Sequence, residues 1–379
     1  MSPAIRVWLS TILVFSAMIA APAMAQQAGT LVSSDPIVET PGGMQAWRVR
    51  YWTRTADDRP RMVTGMVVAP REGEPRVPRN VIAWAHGTSG VVERCALSLS
   101  PNFFAATPAL TEMVRNGYTV VAPDYPGLGS DGAHPYLVGP DTAYSVIDGV
   151  RAARMIAGAY AGTRFAVWGE SQGGHAALWA GTQARSYAPE LTLVGIAAAA
   201  PPTELVANLR QGKDANIRAM MTAFTAYSWS QHYGASLATL GHKPTQNLIT
   251  RLARNNCISL DKDPKLGTII GILALRNALK NVDLGGRAPW STYARTNSVN
   301  PARVPGPLLI AQSVEDPIVA PAVTREFARK LCRNGRALRW IELPGGDHAH
   351  SARDSAGATL DWIAARFAGE RPPIECRRL

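Results

Sequence analysis

Two hydrophobic rhythms alternate along the chain. RMVTGMVVAP, NVIAWA, YTVVAPDY, FAVWG and LTLVGIAAAA are near-continuous apolar runs bounded by turn residues, as in strands buried on both faces. Between them apolar positions recur every three or four residues. In DTAYSVIDGVRAARMIAG, Ala143, Val146, Ile147, Val150 and Ala153 share one helical face, with Asp141 at the start. TPALTEMVRNG predicts a helix capped by Thr107, with Pro108 at its first position and Gly117 at its end. QGGHAALWAGTQARSYA predicts another. Strand, helix, strand, helix with fully apolar strands predicts a mostly parallel sheet covered on both faces.

The rhythm breaks at Pro201-Pro202. To about Val299 the chain is helix-like and rich in Met, Ala, Leu and aromatics. It resumes with PLLIAQS (strand), APAVTREFARKLC (helix), LRWIEL (strand) and SAGATLDWIAARFAG (helix). This divides the chain into a core of residues 26–202, an inserted helical unit of residues 203–300 and a returning core of residues 301–379. Residues 1–25 carry Arg6, then an apolar stretch, then Ala23-Met24-Ala25, the layout of a signal peptide cut after Ala25. The expected location is therefore secreted or periplasmic.

Composition narrows the picture. With 46% hydrophobic and 18% charged residues the chain of 379 is globular rather than disordered. Its formal charge is +11, but the arginines are scattered and no basic run interleaves with aromatics, which argues against nucleic-acid binding. Four cysteines in an oxidising compartment suggest two disulfides, with three pairings open. A Cys332–Cys376 bridge would pin the C-terminus, and Cys95 with Cys257 would then join the two halves. No close Cys/His spacing of a structural zinc site occurs.

Four segments, each just after a predicted strand, carry candidate chemistry: HGTSG, GESQGG, EDPIV and GGDHAH. In Gly169-Glu170-Ser171-Gln172-Gly173 a strand passes into a helix at the serine. Glycines two before and two after remove Cβ atoms that would collide in so sharp a turn, and the turn lifts the hydroxyl above the sheet. A serine needs a base, and in such an arrangement the order is Ser, acid, His. His348, in a Gly-rich loop after LRWIEL, is favoured over His350. Asp316, where the chain turns before Pro317, is the favoured acid, with Glu315 as fallback. The oxyanion donors expected are the backbone N–H of Gln172 and that of Thr88 or Ser89 in HGTSG.

WAHGTSG followed by RCALS, DYPGLG with HPYLVG, WGESQGGHAALWA, and YAPELTLVGIAAAAPP occur in an order that resembles the secretory lipases, an α/β-hydrolase family typified by fungal lipase A. The resemblance is strongest from Val81 to Pro202. It implies hydrolysis of carboxylic esters by a Ser171–Asp316–His348 triad, a helical cap over the acyl site, no cofactor, and a Cys95–Cys257 bridge tying the oxyanion-side loop to the cap. It implies a small-molecule or lipid ester as substrate, compatible with transient contact with a lipid surface, and no obligate protein partner. The same fold also serves acyl transfer, peptide hydrolysis and non-catalytic binding. One departure stands out: where such proteins often carry an aromatic before the serine, this chain has Glu170.

Overall fold

The computed structural model describes residues 26–258, 264–345 and 348–379; the signal-peptide reading of residues 1–25 lies outside them. Among the described residues nine strands form one sheet in the order β1-β2-β3-β5-β4-β6-β7-β8-β9. The sequence pattern missed the first two, β1 (Leu31–Ile37) and β2 (Met44–Arg54), which pair antiparallel at one edge and lead into β3 (Pro60–Pro70). Both carry polar residues on a partly solvated face, so neither reads as a continuous apolar run. β3 pairs antiparallel with β5 (Thr119–Pro123). From there β4 (Arg79–Ala85), β6 (Ala161–Glu170), β7 (Thr192–Ala199), β8 (Leu308–Ser313) and β9 (Leu338–Leu343) run parallel, so their carboxyl ends share one rim.

Strand periodicity sorts side chains between two cores. Val81, Ala83, Phe165 and Val167 point to one face, and Ile82, Trp84, Ala166 and Trp168 to the other. The short α1 (Phe103–Ala106) and α2 (Leu110–Arg115) cover the second face, and α3 (Gly139–Ala153) and α4 (Gln172–Tyr187) the first. The expected Thr107 cap is corrected: α2 begins at Leu110 after Ala109 at φ 50°, and the Thr107 hydroxyl instead donates back to the Phe103 carbonyl. Asp141 lies in the first turn of α3, at the start as expected, and accepts from the Ala56 N–H at 2.8 Å.

Between β7 and β8 come α5 (Leu205–Gln211), α6 (Ala215–Tyr233), α7 (Lys243–Asn255), α8 (Leu266–Ala278) and α9 (Trp290–Asn297). They bury their own core around Phe224, Trp229, Leu252, Leu275 and Trp290, which continues into Val91, Tyr136 and Leu137 of the loops above the sheet. After β8, α10 (Pro321–Arg333) returns to the first face; after β9 come α11 (Ser351–Asp354) and α12 (Ala356–Phe367), the latter packing on the second. Disulfides join Cys95 to Cys257 and Cys332 to Cys376. Among the described residues, no helix is long and apolar enough to cross a membrane.

Candidate active site

The GESQG segment forms the sharp turn its glycines predict. β6 ends at Glu170 and α4 begins at Gln172, with Ser171 between them at φ 53° and ψ −119°. That conformation is costly for a non-glycine residue and is held by its surroundings. The Ser171 N–H donates to the Ala199 carbonyl at 2.9 Å, and the Ser171 carbonyl accepts from the His175 N–H at 3.0 Å. A Cβ on Gly169 would lie 2.2 Å from the Gly173 carbonyl oxygen, and one on Gly173 only 1.8 Å from the Ala85 carbonyl oxygen. Strand β4 and helix α4 therefore touch backbone to backbone beneath the serine.

Three side chains from three strand ends meet at this rim. Ser171 Oγ and His348 Nε2 are 2.8 Å apart, and His348 Nδ1 and Asp316 Oδ2 are 2.7 Å apart. An ionised carboxylate only accepts, so Nδ1 carries the proton and Nε2 offers its lone pair to the serine hydroxyl. Asp316 is 1% exposed and His348 7%. The buried carboxylate is well supplied with donors: Oδ1 accepts from the Ile318 and Val319 N–H groups at 2.8 and 2.9 Å, and Oδ2 also accepts from Gln312 Nε2 at 3.0 Å. Sequence reasoning missed Gln312. Its one signal was an amide inside the otherwise apolar β8.

The alternatives sit elsewhere. Glu315 is exposed, with its N–H donating to the Gly345 carbonyl, and His350 stands at the start of α11. His232 lies 3.9 Å from Asp141, and His242 precedes α7. Thr88 is in the loop after β4. A Cβ on the adjacent Gly87 would come within 3.8 Å of Ser171 Cβ, so this loop abuts the serine. Thr88 Oγ1 and the Tyr136 hydroxyl are 2.9 Å apart. The Ser89 carbonyl accepts from the Ile258 N–H, next to the Cys95–Cys257 bridge.

Two further side chains shape the site: Glu170, the departure noted in the sequence, and His134, which the sequence did not single out. Glu170 Oε1 accepts from the Ala352 N–H at 2.7 Å, which ties the residue before the serine to α11, just beyond His348. His134, within the HPYLVG run, is fully buried, and burial lowers its pKa to about 3. Its Nδ1–H donates to the Pro126 carbonyl at 3.0 Å, leaving Nε2 to accept from Gln172 Nε2 at 2.9 Å. Neither contact has a sequence signature, because each joins segments tens of residues apart.

A narrow cavity of about 70 Å³ opens beside Ser171, walled by Leu137, Leu205, Leu209, Ile217, Met221 and Trp229 together with Ile318 and Val319. Met221 and Trp229 of α6 line it, whereas Met220 and Phe224 of the same helix pack only in the helical core. Among the described residues, no cluster of His, Cys, Asp and Glu is arranged to hold a metal.

A mostly parallel sheet with a serine at a strained strand-to-helix turn defines an α/β-hydrolase fold, and solved structures of that type superpose on the chain. The resemblance to the secretory lipases is borne out: residues 104–239 match the Secretory lipase family. A probable inactive lipase of Mycobacterium tuberculosis is 24% identical over 87% of this chain and 75% of its own length. Lipase A of Moesziomyces aphidis is 24% identical over 69% of this chain and 57% of its own. Candida antarctica lipase A in its closed state aligns with a TM-score of 0.75 at 19% identity, covering 93% of this chain and 85% of that one.

Proposed function

We propose that this chain is a secreted ester hydrolase, a carboxylesterase or lipase, that works through a Ser171–His348–Asp316 triad and an acyl-enzyme intermediate. The observation that carries the reading is the unbroken hydrogen-bond line from the Ser171 hydroxyl through His348 to Asp316. As the ester carbonyl arrives, His348 Nε2 takes the hydroxyl proton and Ser171 Oγ attacks the carbonyl carbon. Asp316 stabilises the imidazolium without taking the proton. The N–H groups of Gln172 and Thr88 face the oxyanion, each worth about 3 kcal/mol at the transition state. His348 returns the proton to the leaving alcohol, then activates a water that releases the acid. In this reading residues 203–300 act as a cap that encloses part of the ester.

A relative described as an inactive lipase makes the non-catalytic alternative worth testing. The close Ser171–His348 contact favours catalysis. Ser171→Ala in the purified protein is expected to lower turnover of p-nitrophenyl butyrate by at least ~10³-fold with unchanged thermal unfolding, and to abolish labelling by a fluorophosphonate. Undiminished turnover in the folded variant would refute the assignment. Wild-type protein that neither hydrolyses the ester nor takes the label would favour a binding role.

A further inference from the structure

The cavity beside Ser171 is mostly apolar, yet three polar atoms in its lining residues have no partner: Gln172 Oε1, Asn208 Oδ1 and Thr225 Oγ1. Gln172 and Thr225 are each 1% exposed. The orientation of Gln172 follows from its neighbour. His134 stays neutral and spends its one ring proton on the Pro126 carbonyl, so its Nε2 must receive a hydrogen from the Gln172 amide. That leaves Gln172 Oε1 as a bare acceptor in the residue next to the nucleophile. Asn208 is oriented in the same manner. Its Nδ2 donates to the Glu204 carbonyl at 2.8 Å, so the oxygen is the unused end. The Thr225 hydroxyl, on α6 one turn after Met221 and one before Trp229, can give or take a hydrogen bond.

A plain alkyl group filling this cavity leaves all three buried atoms unpaired, and so gains none of the hydrogen bonds they can make. A hydroxyl on the enclosed group would donate to one of the two bare acceptors and accept from the Thr225 hydroxyl, while its carbon skeleton packs on the apolar wall. We propose that the cavity selects esters whose enclosed portion is short and carries a free hydroxyl within a few atoms of the ester carbon or oxygen. The proposal rests on the ester-hydrolase reading and adds a substrate class to it. Sites built to hydrogen-bond a substrate hydroxyl reject the analogue that lacks it far more strongly than apolar pockets discriminate by size.

The test is kcat/KM on two matched pairs. One varies the acyl side, p-nitrophenyl 3-hydroxybutyrate against p-nitrophenyl butyrate; the other varies the alcohol side, ethylene glycol monobutyrate against propyl butyrate. In at least one pair the hydroxylated member is expected to be favoured by about tenfold or more. Thr225→Val, close to isosteric, is expected to shrink that ratio at least threefold, and the Thr225→Val/Asn208→Leu double variant to bring it near unity. Thr225→Val loses no internal hydrogen bond, so its melting temperature should hold or rise. Wild-type ratios within twofold of unity in both pairs would overturn the proposal while leaving ester hydrolysis standing. So would a ratio unchanged in both folded variants. Failure of the wild type to hydrolyse any of the four esters would instead strike the underlying reading.

Discussion

The sheet and the helical layer above it are built by different rules. In the sheet, position is set by backbone. Gly173 touches the Ala85 carbonyl, Ser171 is anchored by the Ala199 carbonyl, and Asp316 is gripped by two N–H groups. In the helical layer, position is set by interchangeable apolar side chains around Phe224, Trp229 and Leu275. That layer is attached at a few polar points: Ser228 bridges the His134 carbonyl and the Tyr136 N–H, and Asn297 reaches Gly139, Tyr233 and Trp179. The contrast suggests where each layer tolerates change. The proposed triad stands on the part that backbone contacts fix, while much of the apolar wall beside Ser171 belongs to the part that can be repacked.

The largest effect should come from putting a methyl group where the backbone contact is tightest. Gly173→Ala is expected to cost more than ~4 kcal/mol and leave little folded protein, whereas Leu252→Met in the helical core should cost under ~1.5 kcal/mol. Equal losses, read by denaturant unfolding, would erase the distinction drawn here.

Acidification probes the seam between the layers. Burial lowers the pKa of His175 to about 4 and that of His134 to about 3, so both fold as neutral rings. A depressed pKa contributes stability that is complete above the unfolded value of about 6.5 and is lost as pH falls toward the folded value. Asp141, whose pKa burial raises to about 6, works the other way: its folded form takes up a proton early and recovers part of the loss. The net expectation is a loss of stability between pH 7 and 5.5, read as a lower melting temperature. A melting temperature that is flat or rises over that range would contradict it.

The smallest predicted effect concerns Glu170. Its bond to the Ala352 N–H steadies the segment that follows His348, so Glu170→Ala is expected to lower kcat about tenfold with little change in KM or stability. Glu170→Gln keeps an acceptor oxygen and should stay within about threefold of wild type. An unaltered kcat in Glu170→Ala would detach this carboxylate from the histidine segment.

How much could be read in advance follows the same division. The parallel strands and the turn at Ser171 were legible because burial on both faces and backbone crowding leave few residue types admissible. Asp316 and His348 were reached through their places after β8 and β9. The edge strands β1 and β2 escaped because their polar residues face solvent, and the start of α2 was misplaced because Ala109 adopts a left-handed conformation that Thr107 and Pro108 do not announce. The pairing of His134 with Gln172 and the orphaned Thr225 hydroxyl depend on how separate segments dock, which local patterning does not encode.

The Cys95–Cys257 bond has a mechanical corollary. Beside it, the Ile258 N–H meets the Ser89 carbonyl and Arg94 reaches the Arg254 carbonyl, so one margin of the upper layer is riveted to the loop next to Ser171. A swing of that layer that leaves the bridge intact keeps this margin fixed, like a door on its jamb. The opening above Ser171 would then widen on the far side, toward Pro317 and the turn that begins α6, where the Lys213 and Asp214 N–H groups donate to the Pro317 carbonyl.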